Sequence, residues 1–481
     1  MLRSLFLSMS IASLFMTVTC AHAQPEALQI GSRLQLFVDH HLIESLTSST
    51  LRLHPPSPAE TVLKFDEPWE GIYGGYATVI KDGELYRLYY RGLPDALNDG
   101  SASESTCYAV SVDGIHFSKP ELGLFEVYGT THNNVILHGF EPLSHNFAPF
   151  LDARPGVEPG QRYKALGGTL ESGLVAFVSA DGVHWQKIQE EAVITQGRFD
   201  SQNVAFWSES ENQYVCYLRT LIDDSIRAVS RCTSPDFITW SDIEPMEYGD
   251  APIEHLYTNQ TTPYFRAPDL YIAIAARFMP GRRVVSEETM TKLGGLAMYS
   301  GDCSDAVLLT SRGGAHYDRT FMEAFIRPGI GANNWTSRTN YPARGVVPTG
   351  PNEMSMYVQR NYGQNSHHLQ RLVMRTDGFA SVNAPYEGGE MITKPLTFDG
   401  SRLLLNFATS AAGSMWIEIQ DAAGAPIPGF TREDCDELIG DEIARAVTWK
   451  GNADVSSLAA KTVRLRFVMR DADLYSIQFK S

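Results

Sequence analysis

The 481 residues carry 39 Lys and Arg against 56 Asp and Glu, a formal charge of −17, with 43% of positions hydrophobic. That acidic balance argues against nucleic acid as the partner, since phosphate binding relies on clustered Lys and Arg. No Cys/His spacing suggests zinc.

In chain order, Arg3, an apolar run from Leu5 to Val18 and the triplet Ala21-His22-Ala23 read as a secretory signal peptide over 1–23, cut before Gln24. This predicts a secreted or periplasmic protein. No later segment approaches the ~20 uninterrupted apolar residues that span a bilayer, so no membrane insertion is expected. Cleavage removes one basic residue and Cys20, which leaves an odd number of cysteines. Among them, Cys216 and Cys232 flank a turn at Asp223-Asp224-Ser225 and are expected to lie opposite each other. Whether they are bonded or are two small buried residues stays open.

Residues 24–59 read as an N-terminal extension. From 60 to 388 one pattern recurs: a strand ending in a small polar residue, a tight turn, then an aromatic. Its copies are YAVSVDGIHF at 108–117, LVAFVSADGVHW at 174–185, RAVSRCTSPDFITW at 227–240, a degraded fourth with GLAMYSG at 295–301 and LLTSRGGAHY at 308–317, and LQRLVMRTDGF at 369–379. The landmarks Asp113, Asp181, Asp236, Gly313 and Asp377 stand about 55 to 77 residues apart, the length of a four-stranded antiparallel sheet. Further alternating segments, such as YATVI and LYRLYYRG joined across Asp82-Gly83, precede each landmark. The fold class is therefore all-β: a five-bladed β-propeller, followed over 389–481 by a C-terminal β-sandwich.

The inner strands of a propeller begin around one axial pocket, so polar residues at those starts are the candidates for function. Glycoside cleavage needs two carboxyl groups with separated pKa values. The catalytic candidates are Asp200, Glu254 and Glu323, with Glu70 next. The first three have structural alternatives: a turn cap for Asp200, a surface pair for Glu254, and an ion pair with Arg319 or Arg327 for Glu323. Substrate-binding candidates are His145, Asn146, Asn203, His255, Asn259, Asp318 and Glu353. Arg319, Arg327 and Arg338 join them for an anionic sugar, or to neutralise the pocket's own acids. Trp69, Trp335 and Tyr341 could stack on a sugar ring. No metal ligand is assigned and no cofactor is expected; the scaffold is compatible with a structural Ca²⁺, although no EF-hand loop is present.

On the landmark turns and these acids the chain resembles the five-bladed propeller glycoside hydrolases, the broad invertase-like and arabinanase/β-xylosidase-like group. The resemblance covers 60–388, and the invertase-like members also carry a C-terminal β-sandwich. It implies three acids from different blades around an axial pocket. The Asn-Asp-Pro-Asn, Arg-Asp-Pro and Glu-Cys motifs of the group are absent; Trp69-Glu70-Gly71, Phe199-Asp200-Ser201 and Glu254-His255 stand nearest to them. The reading is a secreted glycosidase acting on a plant or algal polysaccharide or oligosaccharide, its carbohydrate substrate neutral or anionic. Alternatives are a non-catalytic glycan-binding propeller and a polysaccharide lyase acting on a uronate, with His145, His255 or His316 as base.

Overall fold

A computed structural model describes residues 27–481; the signal sequence read at 1–23 lies outside the described residues. Four antiparallel sheets of four strands and one of three follow one another along the chain. Their first strands are Gly75–Asp82, Ala148–Leu151, Val204–Ser208, Thr262–Tyr264 and Val347–Pro348. Ala148–Leu151 touches both Gly75–Asp82 and Val204–Ser208, which in turn meets Thr262–Tyr264, while Val347–Pro348 meets Gly75–Asp82. These are the inner strands of a five-bladed propeller. The ring is closed non-locally: Ser57–Lys64, from ahead of blade one, pairs with His368–Arg375 as the outer strand of blade five.

The repeated turn explains itself locally. In Ser111-Val112-Asp113-Gly114, the Ser111 hydroxyl donates to Asp113 (2.8 Å) and accepts from the Gly114 N–H, while Asp113 accepts the N–H groups of Ile115 and His116. Ser179/Asp181 and Ser234/Asp236 repeat the arrangement with His184 and Thr239. An Asp in such a turn satisfies backbone donors that no strand can reach. The aromatic that follows packs back, Trp185 and Trp240 donating their indole N–H to the Gly182 and Phe237 carbonyls.

Blade four departs from the pattern. Cys303–Ser311 is its third strand, and its outer edge is reduced to isolated bridges at Ile326 and Asp318. The GLAMYSG stretch expected as a strand instead forms a 3₁₀ turn, Ala297–Ser300, in an inserted segment with the short helix Glu287–Lys292 capped by Ser286. The expected hairpin at 223–225 is present, with Asp223 and Asp224 both at positive φ. Cys216 and Cys232 lie directly opposite each other, and both thiols are free and buried.

The β-sandwich is built on two long paired strands, Arg402–Asp421 and Val463–Lys480, whose register breaks between Thr409 and Ser414. Strands from ahead of the propeller complete it: Leu28–Gly31, Gln35–Leu36, Ile43–Thr47 and Thr50–Leu53 pair with its strands, as does Ala380–Ala384. Phe37, Leu42, Phe407, Ile417, Trp449, Phe467 and Phe479 share its core. At the junction with the propeller, the fully buried Asp377 accepts from the Tyr264 hydroxyl (2.6 Å), Arg266 (2.6 Å), Ser476 (2.9 Å) and Asn406 (3.1 Å).

Candidate functional site

All inner strands begin at one mouth of the axis, and the second strand of each blade, being antiparallel, ends there. Blade one places Gly74 and Tyr76 at this mouth, with Arg91 at the end of its second strand and Asp99 in the loop beyond. Blade three contributes Asp200, blade four Tyr257, and blade five Arg338, Tyr341, Gln359 and Tyr362. They enclose a cavity of about 60 Å³, room for a few water-sized groups or the substituents of one sugar. Gly75 has φ +127°, and a Cβ there would fall 1.9 Å from Gln359 Oε1, so the residue must be glycine for Gln359 to reach the pocket.

Each carboxylate of the pocket is held by an arginine. Arg91 donates to Asp99 at 3.0 Å and lies over the Tyr76 ring, 4.8 Å from its centre. Arg219, from the second strand of blade three, is buried beneath Tyr257 and pairs with the solvent-facing Asp200. Desolvation tends to raise the Asp200 pKa, but the charge and hydrogen bond of Arg219 outweigh it and keep the carboxyl below its usual range. Burial, reinforced by the neighbouring Tyr257, pushes the hydroxyls of Tyr76 and Tyr341 well above their ordinary values. Asp302 lies near Arg338 and Ser337; its pKa is raised, desolvation exceeding the opposing pull of those two residues.

Below the cavity the axis is sealed. Gln202 donates to Thr78 (2.7 Å), Gln260 donates to Gln202 (2.8 Å) and to the Pro342 carbonyl (2.9 Å), and Arg344 donates to the Pro149 and Ala205 carbonyls. Burial lowers the Arg344 pKa to about 10. A separate cavity of about 500 Å³ opens at the opposite mouth, lined by Ile80, Leu151, Trp207, Phe265 and Val347.

A larger cavity lies off the axis. It is a cleft of about 880 Å³ on blade four, bounded by Glu254, His255, Arg277, Phe278, Glu323, Arg327 and Trp335. Its wall adjoins the axial pocket, for the Phe278 and Tyr257 rings are 5.6 Å apart.

The structure therefore divides the expected catalytic trio. Asp200 is axial, while Glu254 and Glu323 line the cleft. Glu254 is clamped by Arg277 (2.8 Å) and Arg319 (2.9 Å), whose hydrogen bonds overcome desolvation and depress its pKa, so it serves as a half-buried counter-ion on the cleft wall. Glu323 and Arg327 are exposed on the cleft rim. Glu70 is away from both cavities: it is fully buried, bonded to Lys119 (2.7 Å), Tyr90 and the Asp66 and Glu67 N–H groups, with its pKa raised by desolvation. It anchors the entry to blade one. Trp69 packs in that blade and donates to Asn134.

Of the expected binding residues, Arg338 lines the axial pocket, and His145 and Asn146 stand behind its Arg91–Asp99 pair. His255 and Trp335 line the cleft. Asn203 and Asn259 are buried turn residues bonded to nearby backbone, and Arg319 is the partner of Glu254. Asp318 sits at the outer edge of blade four near Asp39 of the sandwich, where desolvation and then that neighbour raise its pKa. Glu353, at the start of the second strand of blade five, pairs with Arg371. Chain direction explains these departures: residues before an inner strand lie on the mouth side, but their side chains turn inward or outward with the local loop.

The residues that sequence reading missed are Tyr76, Arg91, Asp99, Arg219, Tyr257, Gln359 and Tyr362. Arg91, Arg219 and Gln359 share one signal, a polar residue at or near the end of the second strand of a blade.

No family model and no curated protein matches the chain. Among solved structures it is similar to an N-acetylgalactosamine deacetylase from F. plautii in complex with blood group B trisaccharide, at 14% identity and TM-score 0.43, covering 70% of this chain and 96% of the other. A β-1,2-mannobiose phosphorylase from Listeria innocua is similar at 10% identity and TM-score 0.42, covering 68% and 97%. A glycosyl hydrolase from Bacteroides ovatus is similar at 14% identity and TM-score 0.37, covering 71% and 96%.

Proposed function

We propose that this protein is an extracytoplasmic glycosidase whose axial pocket receives the end of an anionic sugar chain. One observation carries the reading: Arg91 and Arg338 line, with Asp99 and Asp200, a pocket floored by protein and walled by tyrosines, and Arg219 is buried against Asp200. Guanidinium groups give paired hydrogen bonds to a uronate or sulfate, and the tyrosine rings supply faces for a pyranose. Arg219 keeps Asp200 ionised, as a base or nucleophile must be. Asp302 stands near Arg338 and Ser337 just outside the lining, its pKa raised by desolvation, and we assign it the part of the second carboxyl. The cue read from 1–23 supports export.

One observation favours a second reading. Tyrosine and arginine outnumber carboxylates at the mouth, as in a uronate lyase whose arginine neutralises the substrate carboxylate. Burial works against it, since tyrosines held above their ordinary pKa are poor bases.

The test is a reducing-sugar screen of neutral, uronic and sulfated glycans with wild type, Asp200→Asn and Asp302→Asn. Release of reducing ends from an acidic glycan, lost in both variants, supports the proposal. An unsaturated, ultraviolet-absorbing product would replace it with the lyase, and saturable binding without turnover would leave a glycan-binding propeller.

A further inference from the structure

The cleft on blade four shares a face with the axial pocket. The second strand of that blade, Ala267–Met279, runs toward the mouth, and its last residue, Met279, pairs with Cys303 at the start of the third strand; both line the cleft. Glu254 and His255 precede the inner strand of the blade, while Arg327 and Trp335 come from the loop ahead of blade five. Each of these segments lies at the end of its blade where the axis opens.

A ridge of aromatic rings joins the two spaces. Tyr341, in the axial lining, stands 4.9 Å from Tyr257, which stands 5.6 Å from Phe278 of the cleft. Arg227, the second residue of the third strand of blade three, lies over both of the last two, 4.9 Å from the centre of the Tyr257 ring and 4.7 Å from that of Phe278. Its charge reaches Asp200 and Asp302. Its guanidinium nevertheless has no acid partner or hydrogen-bond acceptor among the described residues; only its backbone N–H is bonded, to His255.

The charges of the cleft divide into a matched set and a remainder. Glu254 and Asp305 are matched by Arg277 and Arg319. Arg282 and Arg327 are exposed and have no acid partner among the described residues, and of the lining acids only Glu323 is left to oppose them. Burial, and then the charge of Arg227, lowers the His255 pKa, so His255 adds no charge near neutral pH. With Arg227 on the ridge, the remainder is cationic, and such a field in a walled cleft favours anions.

A second observation points to a ligand. Buried hydroxyls without a partner stand at both ends of the path: Tyr341 Oη beside the axial pocket and Ser304 Oγ in the cleft wall, on residues 4% and 1% exposed. Such groups carry an uncompensated desolvation cost that the hydroxyls of a bound sugar would relieve. Size agrees, since the 880 Å³ of the cleft suits a ligand of about two or three sugar rings.

We infer that the cleft seats the chain that follows the sugar held at the axis: an acidic oligosaccharide crosses the Tyr257–Phe278 ridge beside Arg227 and continues past Trp335 toward Arg282 and Arg327. The inference rests on the axial pocket as the seat of the chain end, and adds that the substrate is several units long and acidic beyond its first unit.

The test is isothermal titration of the mature chain with galacturonic acid, its tetramer and the methyl-esterified tetramer, which has the same shape without the charge. The wild-type protein is expected to bind the acidic tetramer about ten-fold or more tightly than the monomer, a gain that falls to about three-fold or less in Arg227→Gln and in Arg327→Gln and is absent for the ester. Arg327 is exposed, so its variant keeps the test valid if the half-buried Arg227 variant fails to fold. Affinity that does not grow with length, a gain kept in the cleft variants, an equal gain for the ester, or no binding at all would overturn the inference. Arg338→Ala separates it from the axial reading: if that variant leaves monomer binding intact while the cleft variants still remove the gain, the cleft stands and the axial seat is refuted.

Discussion

Replacing Asp377 by Ala is expected to loosen the junction between propeller and sandwich. The carboxylate is fully buried and accepts from Tyr264, Arg266, Asn406 and Ser476, which come from blade four and from two strands of the sandwich. Breaking a buried pair by removing one partner costs about 3–5 kcal/mol, chiefly because the remaining groups lose their compensation. The Arg266 side chain is 26% exposed and can recover some hydration, which argues for the lower end, about 3 kcal/mol. The three neutral donors gain no such relief. Asp377→Asn keeps acceptor oxygen but not charge, and about half the loss is expected. The assay is urea unfolding of the mature chain and both variants, followed by fluorescence, with limited proteolysis at the junction. If the Ala variant shifts stability by less than about 1 kcal/mol and exposes no new cleavage site, the argument that this acid ties the two parts together is wrong.

Arg338→Ala should weaken binding of an acidic glycan by about ten-fold or more while leaving neutral glycans unaffected, because the lost contact is a charge-assisted one; comparative titration checks it. His367 is fully buried, stacked 4.1 Å from Phe65, with its pKa lowered by burial to about 3. Its folded pKa lies below the unfolded value, so stability is intact above about pH 6.5 and declines as pH falls toward 3. His367→Phe should therefore gain about 2–3 kcal/mol on wild type at pH 4 and much less at pH 7, read from paired unfolding curves. Thiol titration of the unfolded mature chain should count five free cysteines, a disulfide between Cys216 and Cys232 giving three.

The blades were legible because their signal is local. Ser111, Asp113 and Gly114 complete their hydrogen bonds within a few residues, so the turn is written into consecutive letters and its recurrence counts the blades. The hairpin at Asp223-Asp224 is equally local, and register alone sets Cys216 against Cys232. Blade four was misread at 295–301 because an apolar, glycine-flanked run suits a strand or a 3₁₀ turn, and only its neighbours decide. Asp200 reaches the axial pocket because it stands just ahead of an inner strand, and Arg338, read from the run of arginines at 319–338, reaches it from the loop ahead of blade five. Arg91, Arg219 and Gln359 were missed because they come from the ends of second strands, which reach the same mouth.

The sequence by itself determined the β-rich class and the number of blades, since these rest on composition, period and turns formed between near neighbours. Tertiary structure decided the rest. Ser57–Lys64 closes blade five and Leu28–Gly31 joins the sandwich through pairings that span most of the chain, and hydrogen-bonded registers of that range leave no local pattern. The same holds for charge. Whether Glu70, Glu254 or Asp200 faces a substrate depends on which arginine or lysine the fold brings to it, and only the folded chain sets Lys119 beside Glu70, Arg319 beside Glu254 and Arg219 beneath Asp200.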